Sequence, residues 1–203
     1  MRQVIRQIYV FVNVWLTIFS LKWFDKRNPL RISLGSAEVN QKGWIQTDKE
    51  VLDLLRPETW RRCLKPDSVD ALFAEHVWEH LTEEEGFIAA NTCFLFLKKG
   101  GYLRIAVPDG FHPDSDYIEC VKPGGYGWGA SDHKVLYNYL SLKKIFEEAG
   151  YQVKLLEYFD EKGRFHYEDW NESTGKVRRS SRYDERNSGS QLKYTSIIID
   201  AVK

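Results

Sequence analysis

The segment from Arg31 to Asp48 constrains this chain most. Ile32 to Leu34 is a short apolar run ending at Gly35, the pattern of a buried strand feeding a tight turn. A glycine there adopts positive φ freely and lets backbone N–H groups come close to a ligand. Trp44 to Thr47 reads as a second strand that ends at Asp48. An acid at the end of the second strand of a nucleotide-binding sheet can accept hydrogen bonds from both ribose hydroxyls. The glycine turn and the acid would be the two halves of a nucleoside site. Only one glycine of a G-x-G-x-x-G fingerprint is present, and Ala37 stands where a second would come.

Charge and cysteine usage narrow the partners. The 29 basic and 29 acidic residues cancel, which argues against a nucleic-acid partner bound through counterion release. Cys63, Cys93 and Cys120 are few, odd in number and without zinc spacing, so a reducing, cytoplasmic compartment is expected. The 203 residues suffice for one domain with a sizeable core and one appendage.

Residues 1–27 read as that appendage, and 28–203 as the domain. Ile8 to Leu21 is apolar except for Asn13, Thr17 and Ser20. The run is shorter than the ~20 residues a membrane span needs, and no small-x-small cleavage site follows it. At helical spacing Arg2, Arg6, Asn13, Thr17 and Ser20 share a narrow polar stripe. Val4, Ile8, Phe11, Trp15, Ile18 and Phe19 lie opposite. Such an amphipathic helix packs on the domain or a second copy of the chain, or lies in the plane of a membrane. In the membrane case Trp15, Lys22, Trp23, Lys26 and Arg27 would sit at the interface.

Beyond Asp48 the chain alternates helices and strands. Pro57 to Leu64 is a short helix, and Val69 to Ala74 a third buried strand. Thr82 and Glu85 form a capping box that opens a helix through Leu97. Phe87, Ile88, Phe94, Leu95 and Leu97 give it an apolar side, and Lys98 to Gly101 closes it. Tyr102 to Val107 is a strand stopping at Pro108-Asp109, and residues 110–132 form a long Gly- and aromatic-rich loop. Ser141 caps a helix from Leu142 to Ala149. Tyr151 to Tyr158 and Tyr194 to Val202 are strands, with a hairpin turning near Glu172 to Gly175 between them and a charged stretch at 171–190 open to disorder. This order predicts a mostly parallel sheet covered on both faces, its last two strands antiparallel at one edge. Gly35, Asp48, Glu75, His76 and Asp109 all fall at carboxyl ends of strands, where such sheets bind ligands.

Five segments in order carry a resemblance. They are Leu34-Gly-Ser with Gly43 to Asp48, Ser68 to Leu81, Leu97 to Asp109, Ser141-Leu with Glu148 to Gly150, and Thr195 to Lys203. With them the chain, from about residue 30 onward, resembles the class I S-adenosylmethionine-dependent methyltransferases, in the branch called methyltransferase type 11. The resemblance implies a Rossmann-like three-layer α/β sandwich of seven strands with an antiparallel last strand. One of those strands, between Asp48 and Val69, is not visible in the sequence. It also implies S-adenosylmethionine as cofactor. Leu34, Gly35 and Ser36 would line its methionine and ribose, Asp48 would hold the ribose hydroxyls, and Cys63 and Leu64 would border the adenine. Ala74, Glu75 and His76 would lie under the sulfonium. The methyl group would pass to an oxygen or nitrogen of a polar small molecule such as a sugar or glycan precursor, under loops carrying Tyr126, Trp128 and Trp170.

A base beside the sulfonium must come from the strand ends, which makes His76, Asp109 and His133 the candidates. Rival readings share these residues. His76-Val-Trp-Glu79-His80 matches the H-x-x-E-H pattern of some zinc enzymes. His76 stands at a strand end, so the two histidines need not share a helical face, and no metal is expected. Glu79 and His80 then read as structural residues of a helix start. Arg178, Arg179, Arg182 and Arg186 read as a solvated charged loop or as a clamp for an anion. A methyltransferase-like domain without catalysis is the alternative to an active enzyme. A nicotinamide-dependent enzyme is disfavoured by the incomplete glycine fingerprint.

Overall fold

The computed structural model describes residues 2–24, 28–36, 41–187 and 192–203, with the backbone alone at 2–11. Lys26, Arg27, Ala37 and positions 188–190 of the charged stretch lie outside the described residues, as do the side chains of Arg2, Val4, Arg6, Ile8 and Phe11. The strands are β1 (Arg31–Leu34), β2 (Ile45–Gln46), β3 (Val69–Glu75), β4 (Leu97–Pro108), β5 (Gln152–Phe159), β6 (Phe165–Tyr167) and β7 (Ser196–Val202). They form one seven-stranded sheet in the order β2-β1-β3-β4-β7-β5-β6. β1 to β4 run parallel to one another, and β7 runs antiparallel to both β4 and β5. The mostly parallel sheet with an antiparallel last strand is therefore as expected. The β5–β7 pair lies inside the sheet rather than at its edge, because β6 pairs with β5 and takes the edge. No strand forms among residues 47–68, which turn through 49–55 into a short helix.

The helices are α1 (Arg2–Lys22), α2 (Pro57–Arg61), α3 (Glu83–Phe96), α4 (Ser115–Val121) and α5 (Tyr139–Glu148). The capping box of α3 forms as the sequence predicts, with Glu85 N–H on Thr82 Oγ1 and Thr82 N–H on Glu85 Oε2. Its buried face differs from the expected one. Gly86, Ala89, Ala90, Cys93 and Phe96 are buried, Gly86 against Tyr137 and Trp78, while Phe87 and Ile88 are exposed. Small residues at i, i+3, i+4, i+7 let neighbouring groups come close to the helix axis, and Phe87 and Ile88 are left outside. Leu97 to Gly100 do not close the helix but begin the long strand β4. α5 starts three residues earlier than predicted: Asn138 is its cap, and Ser141 returns a bond to the Asn138 backbone. The loop at 110–132 contains α4 and a 3-10 turn at Ala130–Asp132. The expected hairpin turns at 160–163, where Asp160 Oδ1 accepts the N–H groups of Lys162 and Arg164, and not at Glu172. Glu172–Thr174 is a 3-10 turn.

The two faces of the sheet are covered differently. Ile32, Leu34, Leu72, Ala74, Leu103, Ile105, Ile197 and Ile199 point into the main core under the helices. Ala71, Phe73, Ala106, Leu156 and Ile198 point the other way, onto Trp170 and Val177. This second layer is the segment 168–183, held by Arg104 and Glu157 rather than by a helix. Arg104 Nη1 donates to Asn171 O and Gly175 O, and Glu157 accepts Trp170 Nε1–H and Ser181 N–H. Trp170 is thus core, not a substrate cover. The described part of the charged stretch is folded, with Arg182 paired to Asp169 and Arg186 to Asp184.

α1 seats Ile18 and Leu21 in the main core. Val12, Leu16, Phe19 and Trp23 face outward, the last two at 60% and 74% exposure. No described helix is long and apolar enough to cross a membrane.

Candidate active site

The carboxyl ends of β1 and β2 are fastened together. Thr47 N–H and Thr47 Oγ1–H both donate to Ser33 O, at 2.8 and 2.9 Å, and Ser36 N–H donates to Thr47 O at 3.1 Å. This fixes the turn at Gly35 relative to Asp48. Gly35 is exposed and has φ +55°, and a Cβ there would lie 2.8 Å from Cγ2 of Val77. Glycine is therefore required both by the backbone and by the neighbour. Leu34 and Ser36 are buried on either side. Asp48 is exposed, and within the described residues its side chain accepts only the N–H of Lys49. Its carboxylate retains most of its acceptor capacity.

Cys63 and Leu64 follow α2. Leu64 is buried in the core, and burial pushes the Cys63 thiol up to about 11. Arg62 Nη2 donates to Val51 O at 3.3 Å and Val51 N–H to Asp48 O at 2.9 Å, so the end of α2 is tied to the Asp48 turn.

β3 delivers Ala74, Glu75 and His76. Ala74 is fully buried and pairs in register with Leu34. The Glu75 carboxylate turns to the second layer, where Oε1 accepts the N–H of Arg179 at 2.8 Å and Oε2 lies 3.7 Å from Arg178 Nε. His76 has φ +55°, a left-handed conformation that costs about 1–2 kcal/mol for a side-chain-bearing residue. It swings the ring towards β7: Nε2 lies 3.0 Å from Ser196 Oγ, and Nδ1 lies 3.0 Å from Glu79 Oε1. Burial, and then the Arg179 guanidinium, lower its proton affinity well below the ordinary histidine value.

The sequence presents Glu79 as a structural residue of a helix start. It sits in a 3-10 turn at Trp78–His80, is fully buried, and has its carboxyl pushed up to about 7 by desolvation. Its backbone carbonyl accepts Lys134 N–H at 2.7 Å and Val135 N–H at 3.3 Å, which draws the distant loop at 130–135 against it. That contact brings His133 in, with Nε2 4.0 Å from Glu79 Oε1 and Nδ1 donating to Val121 O at 2.7 Å. His80 meets the His133 ring edge-on at 4.8 Å between centroids.

Asp109 is in a different setting. It is fully buried, and its oxygens accept Phe111 N–H at 2.9 Å and Phe159 N–H at 2.7 Å. Both oxygens hold backbone, so its carboxylate ties the end of β4 to β5. The structure therefore brings His76 and His133 together around Glu79 and keeps Asp109 apart. Glu79, His80, Arg179 and Ser196 join the site beyond the expected candidates. The H-x-x-E-H pattern is the signal for the first two and the arginine cluster for Arg179, while nothing local marks Ser196. Tyr126 and Trp128 stand on the surface, Trp128 at 95% exposure.

No protein-family model matches the sequence, and no curated protein matches it. Solved structures do. A SAM-dependent methyltransferase from Archaeoglobus fulgidus superposes with a TM-score of 0.53 at 16% identity, over 96% of this chain and 93% of that one. A SAM-dependent methyltransferase from Thermotoga maritima gives 0.52 at 14%, over 95% and 96%. An S-adenosylmethionine-dependent methyltransferase from Mesorhizobium loti gives 0.51 at 12%, over 93% and 97%. The chain has the fold of SAM-dependent methyltransferases. The likeness spans nearly all of it, and at these identities it is a likeness of architecture.

Proposed function

We propose that this protein is an S-adenosylmethionine-dependent methyltransferase, of the type 11 branch its sequence resembles, acting on a polar small molecule in a reducing compartment. The observation that carries the reading is the exposed Gly35 turn beside the open Asp48 carboxylate, fixed to each other through Thr47 and Ser33. The residues present fit the cofactor. Gly35 leaves room for close backbone approach, Asp48 offers acceptors for two hydroxyls, and Ala74 keeps the floor small.

When bound, S-adenosylmethionine supplies a methyl group on a cationic sulfur, already activated for transfer. The chain's own task is orientation, which can be worth ~7–11 kcal/mol. His76 is the proton acceptor by position. Its ring is held between Ser196 and Glu79, so a proton from an acceptor reaches Nε2 through the Ser196 hydroxyl. Among the described residues the Arg179 guanidinium has no carboxylate within 4.0 Å, and it faces the same site. A carboxylate or phosphate on the acceptor would complement it.

The experiment is calorimetry with S-adenosylmethionine and its demethylated product, followed by turnover on sugars, nucleotide-sugars, small acids and peptides. Binding with turnover supports the reading. Binding without turnover on any acceptor favours a degenerate domain, and tight NAD binding in place of S-adenosylmethionine overturns it.

A further inference from the structure

We propose that Glu79, His80 and His133 form a binding site for a divalent transition-metal cation. One ligand atom from each lies within 4.8 Å of the other two. The Glu79 side chain is fully buried; Oε1 lies 3.0 Å from His76 Nδ1, and Oε2 has no hydrogen-bond partner among the described residues. A carboxylate taken out of water in this way calls for a positive partner. The Arg179 guanidinium is near but has no nitrogen within 4.0 Å of these oxygens, so Oε2 remains free to coordinate.

His133 is prepared for the same role. A backbone carbonyl only accepts, so His133 carries its proton on Nδ1, where it meets Val121 O at 2.7 Å. That leaves the lone pair of Nε2 directed at Glu79. Metal-bound histidines commonly hold their other ring N–H on a carbonyl or carboxylate in this manner. The pattern His76-x-x-Glu79-His80 suggests a different pair, but His76 commits Nε2 to Ser196 and Nδ1 to Glu79 Oε1. The third ligand comes instead from 53 residues beyond His80, brought in by the bonds of Lys134 and Val135 to the Glu79 carbonyl. Two imidazoles with one carboxylate suit Zn²⁺, or Fe²⁺ and Mn²⁺, better than Mg²⁺ or Ca²⁺. Three protein ligands leave positions open for water or for an oxygen of the acceptor. The acceptor role rests on the methyltransferase reading; the cation site does not.

The test uses the full chain, stripped with chelator and free of S-adenosylmethionine. ZnCl₂ and MnCl₂ are titrated calorimetrically, and metal retained after gel filtration is counted by mass spectrometry. One cation per chain is expected, weakened at least about tenfold in Glu79→Gln and His133→Asn and unchanged in the distant His166→Asn. If those variants do not fold, ¹⁵N spectra of the wild-type histidines decide: shifts at His80 and His133 on adding ZnCl₂ are expected. No retained cation, retention unaffected by either variant, or shifts only at other histidines overturns the site. Cofactor binding is measured separately, so the site and the methyltransferase reading can fail independently.

A different observation carries a second proposal: we infer that the outer face of α1 rests on an anionic lipid surface. Val12, Leu16, Phe19 and Trp23 form one exposed apolar stripe, while Ile18 and Leu21 hold the helix to the domain. Residues 1–24 contain Arg2, Arg6 and Lys22 and no acid. Two such helices face to face would oppose like charges, whereas anionic lipids supply the complement. The full chain should float with vesicles of equal parts phosphatidylcholine and phosphatidylglycerol. It should float much less with phosphatidylcholine alone, and not when Phe19→Glu and Trp23→Glu are combined. Failure to float with the anionic vesicles, or a dimer abolished by that double change, overturns it.

Discussion

Thr47 and Ser33 are joined by two hydrogen bonds to one carbonyl, a main-chain and a side-chain donor from the same residue. Asp48 is the next residue along, and the clamp fixes the main chain that carries its carboxylate before any ligand arrives. Asp48→Ala is therefore expected to leave the fold intact, since the side chain is exposed, and to weaken S-adenosylmethionine binding. Two charge-assisted bonds lost correspond to about 2–3 kcal/mol, or roughly 30- to 150-fold in Kd. Calorimetry on the variant, beside an unchanged melting curve, checks this.

Gly35→Ala strains φ and presses a methyl group on Val77. It should cost about 1–2 kcal/mol from the backbone alone, and more from the contact. Adding Val77→Ala should recover only the contact part. Urea midpoints of the two single variants and the double variant separate the contributions.

Arg104 and Asp200 form a bidentate pair across β4 and β7, at 2.8 and 2.7 Å, with the Arg104 side chain almost wholly buried. Arg104→Ala should destabilise by about 3–5 kcal/mol, because it also orphans the carbonyls that fix the second layer. Arg104→Lys should rescue only part, as Lys cannot donate in a fork. Denaturant unfolding of both variants is the measurement.

Replacing His76 by Asn should lower kcat while leaving the affinity for S-adenosylmethionine near that of the wild type. A loss of affinity with kcat unchanged would assign His76 to holding the cofactor instead. Single-turnover kinetics beside calorimetry distinguish the two.

Burial raises the Asp109 carboxyl to about 6, against the pull of two backbone N–H groups. In the unfolded chain an aspartate titrates near ~3.9. The native state thus binds more protons between about pH 4 and 6. Asp109 contributes stability that is fully present below the unfolded value and lost as pH rises through the folded one. Denaturant midpoints across that window should fall more steeply for the wild type than for Asp109→Asn.

The sheet was legible because each parallel strand is a short apolar run ending in a residue of distinct chemistry: Gly35, Asp48, Glu75 and Asp109. The capping box at Thr82 was legible because both partners are local. What escaped depends on contacts between distant residues. The buried face of α3 could not be read from hydrophobicity, since close packing, as of Gly86 on Tyr137 and Trp78, selects small residues and leaves Phe87 and Ile88 outside. His133 was named as a candidate, but its meeting with Glu79 depends on backbone bonds from Lys134 and Val135 that no local pattern announces. Asp109 looked like a base because it ends a strand; only the positions of the Phe111 and Phe159 amides show both oxygens occupied.

With no strand formed between β2 and β3 in sequence, the sheet stops at the two-residue β2, and α1 lies against it. An open sheet edge invites another chain to add a strand, and a covering helix prevents it. A protein shortened to residue 28 would bare that rim together with the surfaces that Ile18 and Leu21 now shield. Its characteristic failure would then be assembly into strand-paired oligomers, with folded monomer lost to the pellet at rising concentration.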